Sequence, residues 1–316
     1  MKAVFVEQFG GIENLKKGDI PKPSPGPGQA LVKIAASGVN YIDIYFRMGL
    51  YPVPLPAVLG SEGAGTVEAL GPDVAGVSVG DRVAYAMPRG SHAEYAAVPA
   101  WQLVKIPPAL DFQTAAAAML QGMTAHYLTH STYPLKSGDS CLIHAAAGGT
   151  GLLLVQMAKM RGARVVATVG NDEKANLARD AGADDVVIYS KEDFVAKAKG
   201  MNVVYDSVGK ATFMQSLDCL RPRGMMVSFG NASGPVADFS PLILSQKGSL
   251  FLTRPSLGNY SSTPEELAWR AGDVLNWITQ GKLKLRIHKV YPLADAAQAQ
   301  RDLEGRQTTG KLLLVP

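Results

Sequence analysis

The most constraining feature of this sequence is a glycine-rich turn, Ala145–Gly151, which reads Ala-Ala-Ala-Gly-Gly-Thr-Gly. A short apolar strand is predicted directly before it, over Cys141–His144, and a helix directly after it, over Gly151–Arg161. A strand, a glycine turn and a helix in this order are typical of dinucleotide sites, because free N–H groups at a helix N-terminus bind a pyrophosphate. A glycine-rich turn without a ligand is the alternative. The candidate phosphate-binding residues are Gly148, Gly149, Thr150 and Gly151.

The residues around this turn alternate between strand and helix patterns. Strands are predicted at 164–169, 186–188, 203–206 and 225–229, and helices at 172–181 and 211–220. Alternation of this length is typical of a doubly wound parallel sheet of the Rossmann kind. The first hundred residues instead contain short β-rich runs separated by Gly- and Pro-rich turns, which indicate an antiparallel barrel or sandwich.

We therefore expect an α/β protein in which a Rossmann domain is inserted in a β-rich domain. The chain has 316 residues, enough for two domains with a core each. The dinucleotide-binding domain is predicted to span 121–257. The β-rich catalytic domain is predicted to combine 1–120 with 258–316.

Composition and charge exclude several classes of protein. The net charge is only +4 and no five-residue basic block occurs, so nucleic acid is not expected as the main ligand. Cys141 and Cys219 are the only cysteines, too few for a disulfide framework or a Cys-based zinc site, and both are expected to be buried thiols. No long apolar run or signal core occurs, so we expect a soluble cytoplasmic protein without membrane contact.

The residues after the second strand of the Rossmann pattern favour NADPH over NADH. An NAD site usually has an acidic residue about 20 positions after the turn, where it binds the ribose 2′-OH. Here that position is Thr168, and the basic Lys174 follows a few residues later. Asp172 argues for NADH, although an acidic residue before a helix is also a common N-terminal cap.

Short motifs occur along the chain in the order found in one known family. They are Gly38–Asp43, Arg47–Pro52, Gly60–Gly65, Gly80–Val83, Gln121–Ala125, Gly138–Lys159, Ser228–Asn231, Thr253–Pro255 and Gly310-Lys311. Over essentially its whole length the chain resembles the zinc-free quinone oxidoreductase, or zeta-crystallin-like, branch of the medium-chain dehydrogenase/reductase superfamily. The resemblance implies a GroES-like β-rich domain with the Rossmann domain inserted in it.

The same resemblance implies that no metal takes part. Zinc-dependent members of the superfamily carry a ligand Cys where this chain has Asn40 and a ligand His where it has Ser61. Their four-Cys lobe has no counterpart between Tyr85 and Trp101. His126 and His130 share a helix face, but no third ligand accompanies them, so packing or surface roles are favoured.

Functional residues also follow from the resemblance. Asn40, Tyr45, Tyr51 and Arg254 would be the catalytic residues, with Tyr51 and Arg254 beside the substrate and Tyr45 contacting both ligands. The nicotinamide half of NADPH would lie against Asn40, Tyr45, Thr124, Tyr127, Phe229 and Gly230. The adenosine end with its 2′-phosphate would be held by Gly170, Lys174, Tyr189 and Arg306.

The implied activity is metal-free reduction of quinones, ortho-quinones above all, by NADPH. A quinone needs an apolar cleft and a few donors, which the two tyrosines and Arg254 would provide for a developing oxyanion. Reduction of an activated alkene such as an enone, an alkenal or an enoyl thioester is the alternative. A non-enzymatic NADPH-binding or RNA-binding protein is a further one. The branch commonly forms homodimers, and Pro241–Leu252 is our candidate for the sheet edge that pairs.

Overall fold

The computed structural model describes all residues, Met1–Pro316. The strands are β1 Lys2–Val6, β2 Lys16–Asp19, β3 Gln29–Val39, β4 Ala57–Val58, β5 Glu62–Leu70, β6 Arg82–Ala86, β7 Tyr95–Pro99, β8 Val104–Lys105, β9 Ser140–Ile143, β10 Arg164–Val169, β11 Asp185–Ile188, β12 Met201–Asp206, β13 Leu220–Ser228, β14 Phe251–Thr253, β15 Ile287–Pro292 and β16 Lys311–Val315. The helices are α1 Tyr41–Met48, α2 Phe112–Tyr127, α3 Gly149–Met160, α4 Asp172–Asp180, α5 Phe194–Lys197, α6 Phe213–Leu217, α7 Leu242–Gln246, α8 Leu257–Tyr260, α9 Pro264–Thr279 and α10 Ala296–Glu304. A π-helical turn, Leu128–Thr132, follows α2.

The chain folds into two compact units. The first combines Met1–Met123 with Ser261–Pro316, and the second is Thr124–Tyr260. None of the helices is both long enough and apolar enough to cross a bilayer.

The first unit is built on a seven-stranded sheet. Its order is β15-β16-β3-β5-β6-β8, with β7 also paired to β3, and every pair except β15 with β16 is antiparallel. A small sheet, β2-β1-β4, accompanies it. Valine and alanine side chains dominate one buried cluster, which includes Val32, Val67, Val83 and Val98. The long central strand β3 leads directly into α1, so its end determines where α1 begins.

The second unit is a Rossmann domain. Its six strands are all parallel and lie in the order β11-β10-β9-β12-β13-β14. Numbered from β9, this is the 3-2-1-4-5-6 order of dinucleotide-binding folds. The strands are almost continuously apolar because parallel strands are covered by helices on both faces, and Leu142, Val166, Val204 and Met226 contribute to this core. The predicted fold class is confirmed.

Several local expectations need correction. The helix predicted over 211–220 is only α6, and β13 starts already at Leu220. The α conformation is disfavoured for Arg221 because Pro222 follows it. The proposed edge Pro241–Leu252 is not one strand. It contains α7, then Gly248 with φ +108, and only its last residues belong to β14.

Both cysteines are free and buried, as expected. Burial raises the pKa of the Cys219 thiol to about 12, so it is neutral at physiological pH. Burial also raises the pKa of the Cys141 thiol. Neither side chain is therefore a reactive thiolate.

His144 is a buried histidine that connects three elements of the Rossmann domain. It follows β9, and its Nδ1 lies 2.8 Å from the Thr168 hydroxyl of β10. Its Nε2 lies 2.9 Å from the Ser216 hydroxyl of α6. Burial lowers the pKa of His144, and the charge of Asp206 opposes this only in part. The ring is therefore neutral in the folded protein at pH values where an exposed histidine begins to titrate.

This depressed pKa predicts that His144 weakens the fold in mild acid. Below about pH 6.5 the unfolded chain binds a proton at His144 while the folded chain does not, so stability falls by up to about 1.4 kcal/mol per pH unit. We expect His144→Gln to reduce the slope of unfolding free energy against pH between 7 and 5, measured by urea unfolding. The matched control is His288→Gln at an exposed histidine. Equal slopes in wild type and His144→Gln would contradict the prediction.

Candidate active site

The glycine turn has the geometry of a phosphate-binding turn. After β9 the backbone turns at Ala145, which has φ +51, and the Gly148 N–H donates to the Ala145 carbonyl over 2.9 Å. Gly148 is the N-cap of α3, so Gly149, Thr150 and Gly151 form its first turn. The first N–H groups of a helix have no acceptor within it and are available to an anion.

Gly151 is required by a close approach of helix and turn. A Cβ atom at this position would lie 2.4 Å from the carbonyl oxygen of Ala145, which is well inside van der Waals contact. Any other residue would push α3 away from the end of β9. The four predicted phosphate-binding residues therefore lie together at one helix N-terminus, and they fit a dinucleotide pyrophosphate.

The end of β10 offers no acidic side chain to a ribose. Thr168 is buried and bonded to His144. Asn171 is the N-cap of α4 and accepts a hydrogen bond of 2.9 Å from the Lys174 backbone N–H. The nearby carboxylate of Asp172 forms an ion pair with Lys191 at 2.7 Å, and this contact lowers the pKa of Asp172.

The residues of the second unit that were expected at the adenosine end lie close together around this cap. Gly170 precedes Asn171, and Lys174 lies in the first turn of α4. Tyr189 follows β11, donates its N–H to the Val169 carbonyl over 3.1 Å and is 52% exposed. Lys191 had no predicted role, because nothing in the sequence shows that it would face Asp172. Arg306 belongs to the first unit, where it is exposed after α10.

A second cluster lies beyond the ends of β13 and β14. Phe229 and Gly230 follow β13, and a Cβ at Gly230 would lie 2.4 Å from the Ser207 carbonyl oxygen. Arg254 follows β14 and donates from Nη1 to the Ser228 carbonyl over 3.1 Å. A cavity of about 280 Å³ adjoins this cluster and has walls from Phe213, Phe239 and Leu252. The structure thus brings Phe229, Gly230 and Arg254 to one sheet edge.

The two predicted residues at the end of α2 are largely buried. Thr124 is nearly inaccessible, and the ring of Tyr127 is stacked on that of Tyr260 with centroids 4.5 Å apart. His126 and His130 are also stacked, at 4.3 Å. No group of three or more His, Cys, Asp or Glu side chains is arranged to hold a metal ion.

Asn40 is at the centre of a buried polar network in the first unit. It precedes α1, and its N–H donates to the Asp43 carboxylate over 2.9 Å. Its Oδ1 accepts from the Lys311 ammonium at 2.7 Å and from Gln121 Nε2 at 3.3 Å. Its Nδ2 donates to Glu62 Oε2 over 2.9 Å. Both ends of the amide are thus held by protein groups.

Glu62 and Lys311 form the buried ion pair of this network. Lys311 Nζ is in direct contact with Glu62 Oε2, and both side chains are fully buried. Glu62 Oε1 accepts a further hydrogen bond of 2.6 Å from the Leu120 N–H of α2. Sequence reasoning missed both residues. The signal available was a charged residue opening the apolar strand Lys311–Val315 and another in the small-residue run Glu62–Gly65.

Tyr45 and Tyr51 pack against each other. Their ring centroids are 5.3 Å apart, nearly edge to face, and the Tyr51 N–H donates to the Tyr45 carbonyl over 3.3 Å. Tyr45 is buried on α1, and Tyr51 is half-buried. Asn40 immediately precedes α1, which carries Tyr45, and Tyr45 in turn contacts Tyr51.

Known proteins agree with this geometry over the whole chain. The alcohol dehydrogenase GroES-like domain matches residues 26–108, and the zinc-binding dehydrogenase domain matches residues 149–269. The quinone oxidoreductase of Pseudomonas aeruginosa is 47% identical, with 100% of this chain and 99% of that protein covered. The chain belongs to the quinone oxidoreductase branch of the medium-chain dehydrogenase/reductase superfamily.

Two further relatives inform the chemistry of this branch. The structure of Escherichia coli quinone oxidoreductase complexed with NADPH is 42% identical and has a TM-score of 0.98, with 100% of both chains covered. The 2-haloacrylate reductase of a Burkholderia species is 42% identical, with 99% of this chain and 98% of that protein covered. The family expected from the sequence is confirmed.

The matching dehydrogenase domain is described as zinc-binding, but the local side chains have other partners. Asn40, at the position of a ligand Cys, is bonded to Lys311 and Glu62. Ser61, at the position of a ligand His, donates to the Asp43 carboxylate over 2.9 Å. An amide and a hydroxyl with these partners do not form a zinc donor set.

The buried pair predicts a large cost for removing its cation. In Lys311→Met the carboxylate of Glu62 stays buried without a counter-charge, which costs about 3–5 kcal/mol of unfolding free energy. We expect the double variant Lys311→Met with Glu62→Gln to regain much of this loss, because the remaining group is then neutral. Urea unfolding midpoints give the measurement.

The control for this prediction is Lys16→Met, since Lys16 forms an ion pair with Glu7 in which both side chains are exposed. Its unfolding midpoint should stay close to the wild-type value. A Lys311→Met variant as stable as wild type would contradict the prediction.

Proposed function

We propose that this chain is an NADPH-dependent quinone oxidoreductase that works without a metal. The observation that carries the proposal is the match over 100% of the chain, at a TM-score of 0.98, to a quinone oxidoreductase solved with NADPH. The turn before α3 supports it, because its free N–H groups suit a pyrophosphate. The choice of NADPH is supported by the lack of an acid at the end of β10 and by the pairing of Asp172 with Lys191.

Four residues are proposed to bind the adenosine end. Lys174 and Arg306 supply positive charge for the 2′-phosphate, since ionic hydrogen bonds to phosphate are strong. Tyr189 presents an exposed ring, and Gly170 leaves room beside it. The nicotinamide half is proposed to lie against Asn40, Tyr45, Thr124, Tyr127, Phe229 and Gly230.

The nicotinamide of bound NADPH supplies a hydride, and the protein's part is to bind and orient the acceptor. Tyr45 and Tyr51 offer aromatic edges to a flat quinone. Arg254 carries the charge that would stabilise a developing oxyanion. Asn40 contributes through its fixed orientation, because its amide is already bonded to Lys311, Gln121 and Glu62.

Reduction of an activated alkene is the second candidate. It is favoured by the 2-haloacrylate reductase that is 42% identical to this chain. An α,β-unsaturated acid takes a hydride at carbon and leaves charge on an enolate oxygen, so the same cation would serve. The two candidates differ only in the acceptor, which makes a direct comparison of substrates decisive.

The test is oxidation of NADPH by the purified, chelator-treated protein with quinones and alkenes compared in parallel. We expect turnover with ortho-quinones to exceed that with 2-haloacrylate and simple enones. Lys174→Ala should raise KM for NADPH about tenfold or more through loss of an ionic hydrogen bond to phosphate. Arg179→Ala is the matched control, because Arg179 lies exposed on the same helix and contacts Asn176.

Three results would contradict the proposal in different ways. Turnover with alkenes alone would replace the substrate class and keep the cofactor. Equal use of NADH and NADPH would contradict the proposed binding of the 2′-phosphate by Lys174. Binding of NADPH without turnover of any acceptor would favour a non-enzymatic role.

We also propose that the two units correspond to the catalytic and dinucleotide-binding domains, and that the protein acts in the cytoplasm. The two free cysteines agree with a reducing compartment. A homodimer is proposed to form along β14, which ends the six-stranded sheet. Phe251 and Leu252 on this strand are 57% and 37% exposed. An apolar edge with unpaired backbone groups favours pairing with a second copy.

The dimer proposal predicts that charge on this edge separates the subunits. Phe251→Glu with Leu252→Glu should convert a dimer to a monomer in sedimentation equilibrium at micromolar concentration, because two carboxylates would face their copies. Val79→Glu is the control, at an apolar residue of the first unit that is 62% exposed. A monomeric wild-type protein would show that the edge stays unpaired.

A further inference from the structure

Two side chains of α1 hold the C-terminal end of α10. Arg47 is buried, and its Nη2 donates to both carboxylate oxygens of Glu304 over 2.8 and 2.9 Å. At the start of α1, the Tyr41 hydroxyl donates to the Leu303 carbonyl over 3.1 Å. Both contacts fall on the last two residues of α10. The end of this helix is therefore fixed by α1 at two points.

Arg306 follows this fixed helix end and has an unfavourable backbone conformation. The N–H of Gly305 donates to the Arg301 carbonyl over 2.8 Å, and the N–H of Arg306 donates to the Leu303 carbonyl over 3.2 Å. Arg306 has φ +57, in the left-handed region that side chains other than glycine adopt only at a cost. Such a conformation persists where the surroundings determine it.

The charge of Arg306 also lies within range of α1. Burial raises the pKa of the Tyr41 hydroxyl, and the guanidinium of Arg306 opposes that rise. Tyr41 therefore contacts the end of α10 through its hydroxyl and lies in the electrostatic field of Arg306.

Arg47 is buried but the Glu304 side chain is 36% exposed, so solvent screens the pair and its net contribution to stability is small. Its geometry, in contrast, is well defined, since Arg47 Nη2 contacts both oxygens of the Glu304 carboxylate while Nη1 donates to the Gly10 carbonyl over 3.3 Å. Arg47 is thus suited to fixing the direction of the chain at Glu304. Two residues later, the chain places Arg306.

We propose that Arg47 and Tyr41 are positioning residues that direct Arg306 and so determine the preference for NADPH over NADH. This inference rests on the proposed function, in which Arg306 binds the 2′-phosphate. The class of ligand group concerned is a phosphate monoester on a nucleoside. NADH lacks this phosphate. Kinetics with NADH therefore measure those effects of a substitution that do not act through Arg306.

The test compares steady-state kinetics with NADPH and NADH for Tyr41→Phe, Glu304→Gln and Arg306→Ala. Loss of Arg306 removes an ionic hydrogen bond, and we expect KM for NADPH to rise about ten- to a hundredfold. Tyr41→Phe and Glu304→Gln weaken its positioning only, so a rise of about three- to tenfold is expected. The rise should fall on KM for NADPH, while KM for NADH stays within about twofold.

A double variant separates positioning from general damage. If Tyr41 acts through Arg306, then Tyr41→Phe with Arg306→Ala should match Arg306→Ala alone. Arg47→Lys keeps a charge but loses the two-oxygen contact, so it should resemble Glu304→Gln. The matched control is Arg301→Ala, because this arginine is exposed on α10 and contacts Gln298. Its selectivity should equal that of wild type.

The outcomes distinguish this inference from the proposed function. If Arg306→Ala changes only NADPH kinetics but Tyr41→Phe and Glu304→Gln do not, the positioning role is wrong and the proposed function stands. Equal rises of KM for both cofactors in those two variants would also overturn positioning. If Arg306→Ala itself leaves NADPH kinetics unchanged, both the phosphate role of Arg306 and the inference fail.

Discussion

The candidate site of the first unit depends on the buried ion pair between Glu62 and Lys311. Desolvating both groups costs several kcal/mol each, so the pair is tolerated only when the remaining polar atoms are bonded. Asn40 and the Leu120 N–H satisfy those atoms. In this way one ammonium neutralises a carboxylate, orients an amide and joins β16 to β5. The side chains around Asn40 are arranged by this cation.

In the second unit, the candidate phosphate-binding site is formed by one short segment of the chain. The turn from Ala145 to Gly151 needs only small residues, a strand before it and a helix after it, and all of these are close in sequence. For this reason the turn and the parallel sheet could be predicted from the sequence. The sequence also shows directly that position 168 is a threonine and not an acidic residue. The pair of Glu62 and Lys311 joins residues 249 positions apart, and no local pattern indicates such a contact.

The failed expectations have the same origin. The helix predicted over 211–220 is shortened to Phe213–Leu217, and only Leu220 of that range joins β13, where Pro222 disfavours a helical conformation of Arg221. Lys191 forms an ion pair with Asp172 because β11 and β10 are adjacent in the sheet, and this adjacency could not be read from the sequence. Residue roles implied by family resemblance, such as that of Arg306, came from motif matching. The backbone conformation that presents Arg306 was not visible in that motif.

Helix α1 connects these features within the first unit. It begins after Asn40, whose amide is held by the buried cation, and it carries Tyr45 beside Tyr51. The same eight-residue helix holds the end of α10 through Tyr41 and Arg47. A small rotation of α1 would therefore move Tyr45 and the chain before Arg306 together. Under the proposed roles, substrate contacts and cofactor preference would both depend on this one helix, so a substitution on α1 should affect both.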